Sequence, residues 1–287
     1  MESKTVFLAR MARRKARRWQ ALLNWRQASF QGVPVLFANS FPKSGTHLLT
    51  QVLEGFSLVG PAVNSGLPAI VTYAGDSGRE RSEAEILADL WRLLPGDIAY
   101  GHIHALPAVV EHLCRPGYAT YFMLRDPRDV VVSHVHYITE MEPGHIHHRY
   151  YKDELHSFDE RLMVSILGRP EIGLEFPDIR QRFQPYLGWM ECPEVQVLRF
   201  EEFVGDRQEA VGWALDYAIE RGFQLRRPRL EAVQILLDYL DPHRSPTFRS
   251  GKIGGWREAF TPEHTRVFKE VAGELLIRLG YEQDMDW

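Results

Sequence analysis

The apolar positions of this chain fall into a few short continuous runs, separated by longer stretches in which they recur every three or four residues. Val35–Leu36–Phe37–Ala38 and Tyr118–Leu124 are runs of the first kind, with the apolar density of strands buried on both faces, and the shorter apolar clusters of Asp97–His102 and Val195–Phe200 read as further strands. Stretches of the second kind cover Ser44–Phe56, Leu106–Leu113, the residues from Arg128 onward, and 158–167, 178–190, 206–221, 228–240 and 262–279. These are the expected helices. Strands alternating with helices build βαβ units, so the pattern predicts an α/β fold: a single domain with a central parallel β-sheet flanked by helices. Segments 61–82 and 140–157 are rich in Gly, Pro, Ser, His and acids and lack periodicity. They are expected to be loops of the kind that border a ligand crevice beyond the strand carboxyl ends.

Ahead of the first strand, residues 5–28 read as a basic amphipathic helix, with Leu8, Met11, Trp19 and Leu22 in one stripe and arginines around them. Gly32 and Pro34 then interrupt the chain, which divides it into a helical segment, 1–31, and the α/β domain, 32–287. The overall charge of −4 hides an asymmetry: residues 1–30 carry eight bases against Glu2, or +7, leaving −11 for the rest. Such a helix either packs on the domain with a solvated basic face or docks on a membrane surface or a partner. The balance elsewhere is no reason to expect nucleic acid. Cys114 and Cys192, without CxxC spacing, suggest neither a disulfide framework nor a zinc site. No apolar run approaches the roughly 18 residues of a membrane span. The expected location is cytosolic or peripheral to a membrane.

Three segments carry candidate chemistry. Phe41–Pro42–Lys43–Ser44–Gly45–Thr46–His47 joins a buried strand to an apolar helix, an arrangement that aims backbone N–H groups and the helix dipole at one anion. Because its lysine precedes its glycine, it is not a Walker A loop, which disfavours a kinase or NTPase. Leu124–Arg125–Asp126–Pro127–Arg128–Asp129 follows the next strongly apolar strand, and Arg125 with Ser133, two turns into the next helix, could grip a second phosphate. Arg249–Ser250–Gly251–Lys252–Ile253–Gly254–Gly255–Trp256 is a flexible basic loop that could close over an anion.

In this order over residues 35–281, the segments resemble the sulfotransferases that use 3′-phosphoadenosine 5′-phosphosulfate (PAPS). The resemblance implies a P-loop NTPase-like fold for a catalytic domain at 32–287, and in-line sulfuryl transfer to a hydroxyl or amine, with adenosine 3′,5′-bisphosphate as product and no metal required. It assigns Lys43, Ser44, Gly45, Thr46 and His47 to the 5′-phosphosulfate, and Arg125, Ser133, Arg249, Ser250 and Gly251 to the 3′-phosphate. Leu48 stands where many relatives have a tryptophan beside adenine, and Phe200 where they have a tyrosine.

The acceptor must lose a proton as it attacks, work suited to a histidine. Tyr100–Gly101–His102–Ile103–His104 closes a strand, and strand alternation puts His102 and His104 on one face. The family's motifs select His102 in one register and His104 in another. His145, His147 and His148 lie in an expected loop without metal-ligand spacing, and His134 and His136 are expected to pack or to wall the site. Acceptors compatible with the aromatic content are small-molecule, lipid, glycan or carrier-bound. The competing functions are a P-loop kinase-like phosphotransferase, which would need ATP and a divalent metal, and an inactive nucleotide-binding protein.

Overall fold

The computed structural model describes residues 4–74, 78–169, 176–244 and 251–287. In chain order its helices are α1 (Lys4–Asn24), α2 (Thr46–Gly55), α3 (Glu83–Leu90), α4 (Pro107–Cys114), α5 (Pro127–His136), α6 (Phe158–Leu167), α7 (Ile179–Phe183), α8 (Phe200–Gly205), α9 (Arg207–Glu220), α10 (Arg229–Tyr239), α11 (Trp256–Ala259) and α12 (Pro262–Leu279). The strands are β1 (Val35–Ser40), β2 (Val63–Asn64), β3 (Ile70–Val71), β4 (Asp97–His102), β5 (Tyr118–Leu124) and β6 (Val195–Arg199). They form one parallel sheet in the order β2-β4-β1-β5-β6, with β3 continuing the edge along the later half of β4.

Every residue of β1 and β5 is buried, as central parallel strands with both faces covered must be. Alternate side chains divide between two cores. Phe37, Ala99, Phe122 and Leu124 face α3 to α7 and α12, whereas Leu36, Ala38, Tyr121 and Met123 face α2, α9 and α10. Each fully buried Phe, Leu or Val contributes roughly 1.5–3 kcal/mol of transfer free energy. This is an α/β domain with a parallel central sheet flanked by helices.

Departures from the periodicity have local causes. Helix α3 escaped the apolar pattern but carries a capping box, Ser82 with Glu85, in which each side chain meets the other's backbone N–H. The stretch 178–190 is α7 followed by a 3₁₀ segment, Gln184–Glu191, because Pro185 has no N–H to continue an α-helix. Segment 140–157 is bounded by single π-helical turns, Tyr137–Met141 and Tyr150–Glu154. Cys114 and Cys192 are free thiols, and burial pushes Cys114 up to about 12. Among the described residues no helix is long and apolar enough to cross a membrane.

The N-terminal helix departs most from expectation: Arg14, Arg17 and Arg18 turn inward. Arg14 donates to the Asp97 carboxylate and to the Arg92 carbonyl, and Arg18 donates to the same carboxylate at 2.7 Å and to the Pro95 carbonyl at 2.9 Å. Arg17 reaches the Asn64 carbonyl, and the Arg18 guanidinium lies over Phe30. The stripe expected through Leu8, Met11, Trp19 and Leu22 is therefore split. Leu22 joins the core beneath α1, Trp19 is 69% exposed, and the Leu8 side chain lies outside the described residues. The physical reason is Asp97, a fully buried carboxylate at the start of β4 that must be paired to be tolerated.

Replacing Arg14 and Arg18 together by Met is expected to lower the unfolding free energy by roughly 3–5 kcal/mol, the cost of stranding a buried charge. Adding Asp97→Leu should recover most of that loss, and urea titration of the three proteins measures both steps.

Candidate active site

The site forms where β1, β4 and β5 end. Beyond β1 the chain turns through Lys43 (φ +69°) and Gly45 (φ +98°), two left-handed residues that fold Phe41–Gly45 into a nest over the start of α2. Gly45 is required here, since a Cβ would come within 2.6 Å of the Phe200 ring and 3.0 Å of the Met123 sulfur. Phe41 anchors the turn from below, stacked on Phe183 with ring centroids 3.7 Å apart. The first-turn N–H groups of α2, at Thr46 and His47, have no carbonyl one turn back and point outward with the helix dipole. Ser44 behaves differently. It is fully buried, its N–H donates to the Phe41 carbonyl, and its hydroxyl meets no hydrogen-bond partner among the described residues.

His102 ends β4 beside this turn. Its Nδ1 lies 2.9 Å from the Ser40 carbonyl and 3.2 Å from the Ser40 hydroxyl, which also meets the Thr46 hydroxyl at 2.7 Å. A carbonyl only accepts, so the bond selects the tautomer protonated at Nδ1 and leaves Nε2 with a free lone pair. Burial lowers the pKa of His102, the Ser40 bond partly offsets this, and the charges of His47 and Lys43 lower it further. The imidazole is thus neutral at neutral pH. His104 lies elsewhere, contrary to the expectation that the two rings share a face. The strand stops at His102 because the Asn39 side chain takes both backbone groups of Ile103, and Trp189 donates to the same carbonyl. The chain then bends, and the His104 ring sits buried, edge-on to Tyr73 and Tyr186 and off the cavity wall, its pKa pushed down to about 4 by burial.

Arg125, at the end of β5, lies 4.4 Å over the Phe200 ring, donates to the Lys252 carbonyl at 2.8 Å, and keeps a buried Nε without an acceptor among the described residues. The other charged residues of its segment serve structure. Arg128 is paired with Asp126 and Glu282 and held between the rings of Trp256 and Trp287, at 4.0 and 4.5 Å. Asp129, also buried, accepts from the N–H groups of Gly254 and Trp256 at 2.8 and 2.9 Å. Asp129 thereby ties the third basic segment to the second. Of that segment Gly251 reaches the site, while Arg249 and Ser250 lie outside the described residues.

These groups line one open cavity of about 600 Å³. Lys43, Gly45, Thr46, His47, His102, Arg125, Ser133 and Gly251 are on its wall; Ser44 and His104 are not. The Lys43 ammonium rests 3.9 Å over the Tyr137 ring, and burial, with the Arg125 charge nearby, pushes its pKa down to about 8. His47 is lowered by burial and by Lys43. A further stretch of wall is Leu48, Val204 and Leu240 with Arg207, and Phe200 packs beneath Gly45 and Arg125. No aromatic ring stands at position 48.

Sequence reasoning passed over several of these residues. Tyr137, open in the sequence to a pocket-lining role with Tyr73, Tyr150, Tyr151 and Trp91, follows Ser133 by one helical turn on the same face and reaches the wall. Arg207 carried no signal. His145 reaches the cavity wall from the expected loop and sits near His134 and His147, each lowered first by burial. His134 packs on Phe176 and meets the Ser165 hydroxyl, and His136 pairs with Glu140. Among the described residues no group of three or more His, Cys, Asp or Glu is placed to hold a metal ion.

No protein-family model matches the chain. Solved structures do resemble it. Mouse sulfotransferase SULT7A1 complexed with PAP superposes with a TM-score of 0.54 at 20% identity, over 86% of this chain and 84% of that one. Retinol dehydratase in a complex with retinol and PAP gives 0.56 at 15% identity, over 84% and 80%. Retinol dehydratase with androsterone and inactive cofactor PAP gives 0.54 at 16%, again over 84% and 80%. At these identities the likeness is one of architecture, and with the strand-loop-helix cradle and sheet order described above it gives the chain the P-loop-like α/β fold of the sulfotransferases.

Proposed function

We propose that the protein transfers a sulfuryl group from PAPS to an acceptor hydroxyl or amine by in-line displacement. The observation that carries this reading is the convergence, in one cavity, of a neutral histidine of fixed tautomer, a lysine poised near neutrality and two anion-binding corners. The α2 N-terminus with Lys43 and Thr46 suits the 5′-phosphosulfate, and Arg125 with Ser133 and Gly251 suits the 3′-phosphate. The buried, unpaired Nε of Arg125 is the kind of donor that an anion satisfies. The aliphatic wall at Leu48, Val204 and Leu240, with the Arg207 guanidinium, suits the base.

In this scheme His102 Nε2 takes the acceptor proton as the new S–O or S–N bond forms and the bond from sulfur to the bridging phosphate oxygen breaks. Lys43 and the α2 N–H groups then meet the charge gathering on that leaving oxygen, where preorganised donors are most effective. His102 need not first release a proton to solvent, because burial already keeps it neutral. Calorimetry tests the reading: adenosine 3′,5′-bisphosphate should bind without metal, and a preference for ATP with magnesium would overturn it in favour of a phosphotransferase.

The two titrating groups set the pH profile. His102 must be neutral and its pKa is lowered, so kcat/KM is expected to fall only below the usual histidine value near 6.5. Lys43 must be charged and titrates at about 8, so the free enzyme should lose activity as pH rises through that value. A bound donor anion raises the lysine pKa, which moves the alkaline limb of kcat upward relative to that of kcat/KM. His102→Ala should remove the acidic limb and lower turnover by roughly 10²–10⁴-fold. His104→Ala should keep the limb.

Lys43→Ala is expected to reduce turnover on the order of 10²–10³-fold while weakening donor binding much less. Arg125→Ala should weaken adenosine 3′,5′-bisphosphate by about 1.5–3 kcal/mol, the range for a hydrogen bond to a charged group, and leave adenosine 5′-phosphate nearly unchanged. Equal losses for the two ligands, measured by calorimetry, would remove Arg125 from the 3′-phosphate.

A further inference from the structure

The inward turn of the α1 arginines leaves the opposite side of the helix facing solvent. Ala9, Ala12, Ala16, Trp19 and Leu23 recur at alternating steps of three and four residues, so they form one stripe about 21 Å long at 1.5 Å per residue. All five are exposed, and Trp19 and Leu23, at 69% and 66%, are among the most exposed large apolar side chains of the molecule. Arg13 borders the stripe on one flank and Lys15 on the other, both exposed, and exposed Arg26 follows the helix. No acidic residue occurs between Glu2 and Glu54. Apolar exposure continues onto the neighbouring chain. Trp91 and Leu94 are exposed beside Arg92 and Pro95, whose carbonyls α1 grips.

An apolar stripe with a tryptophan, bordered by bases and free of acids, has the chemistry of a helix that lies in the headgroup layer of an anionic membrane. A second copy of the chain is a poorer occupant on two grounds. Trp19 offers at most roughly 250 Å², and with Leu23 and three alanines it falls well short of the ~800 Å² per partner of a stable protein interface. Two such stripes meeting would also bring Arg13 and Lys15 of each copy together with no acid in the helix to answer them.

We propose that the outward face of α1, Trp19 and Leu23 framed by Arg13 and Lys15, docks the protein on anionic lipid bilayers. Arg14 and Arg18 are not lipid ligands in this arrangement, being spent on Asp97. The face lies at the end of the sheet where β4 begins, whereas His102 and the cavity lie where it ends, about 16 Å further along the strand. Docking therefore leaves the cavity mouth open to water.

Flotation of the full-length protein with vesicles of phosphatidylcholine alone, and of phosphatidylcholine with phosphatidylglycerol, tests the proposal. Binding is expected to the anionic vesicles only, and to weaken between ~0.05 and ~0.5 M salt as the Debye length shrinks. Arg13→Gln with Lys15→Gln should lower the partition coefficient roughly 25-fold, about fivefold per base. Trp19→Ser with Leu23→Ser should abolish flotation. None of these four side chains contributes to the ion pairs that hold α1, so both variants should melt at the parent temperature. Failure of the parent protein to float, equal binding to neutral vesicles, or a dimer in light scattering that Trp19→Ser dissociates would each overturn the proposal. Every readout is independent of donor binding and turnover, so a negative result leaves the sulfuryl-transfer reading standing on its own tests.

Discussion

The hydrogen bond between His102 Nδ1 and the Ser40 carbonyl exists because β1 and β4 are adjacent, parallel and in the register that sets Asn39 opposite Gly101. The same register places Asn39 to terminate β4 at Ile103 and brings the Ser40 hydroxyl between His102 and Thr46 at the head of α2. The neighbouring pairing of β1 with β5 sets Ser40 opposite Met123, so that Arg125 leaves the sheet beside the same turn. A shift of one residue in either pairing would turn these side chains to the other face and disperse the site. The packed sheet, more than any loop, therefore sets the tautomer of the histidine and the direction of the arginine.

Buried acids do the remaining positioning. Asp129 gathers two N–H groups of the segment around Gly254 and Trp256, and Asp126 with Glu282 neutralises Arg128 between two indole rings. At the other end of the sheet Asp97 serves α1 in the same manner. At Asp129 and at Asp97 a carboxylate that could not stay buried alone recruits a distant segment of the chain, and the resulting contact fixes where that segment lies. The cost of desolvation is used as a device for tertiary specificity.

The electrostatics of the cavity follow from the same enclosure. Burial lowers Lys43, His47, His102 and His145 together, and the mutual repulsion of Lys43 with its neighbours adds to the effect. In the unliganded site Lys43 is the cation close to losing its proton, so an incoming anion raises its pKa and restores its charge, while burial keeps the His102 imidazole neutral. Resting the Lys43 ammonium against the face of Tyr137 compensates some of its lost hydration meanwhile.

Burial on both faces and helix periodicity are local patterns, so the strand-helix alternation, the boundaries of β4, β5, α6 and α12, and the cradle between β1 and α2 were legible in the chain alone. Its resemblance to sulfotransferases named candidate residues of which Lys43, Gly45, Thr46, His47, His102, Arg125, Ser133 and Gly251 share a cavity, whereas Ser44 and His104 do not reach its wall. It favoured His102 as the base but placed His104 on the same face, since strand alternation holds only while the strand continues and the Asn39 bonds that end it come from another strand. Nor did composition reveal that Arg14 and Arg18 of α1 turn inward. A helical wheel locates the bases but not their partner, and Asp97 is separated from Arg14 by 83 residues. Local periodicity is written in neighbouring residues, whereas the partner of a buried charge is chosen by the packing of the whole domain, which is what sets the face of α1 that meets the protein and the face that meets its surroundings.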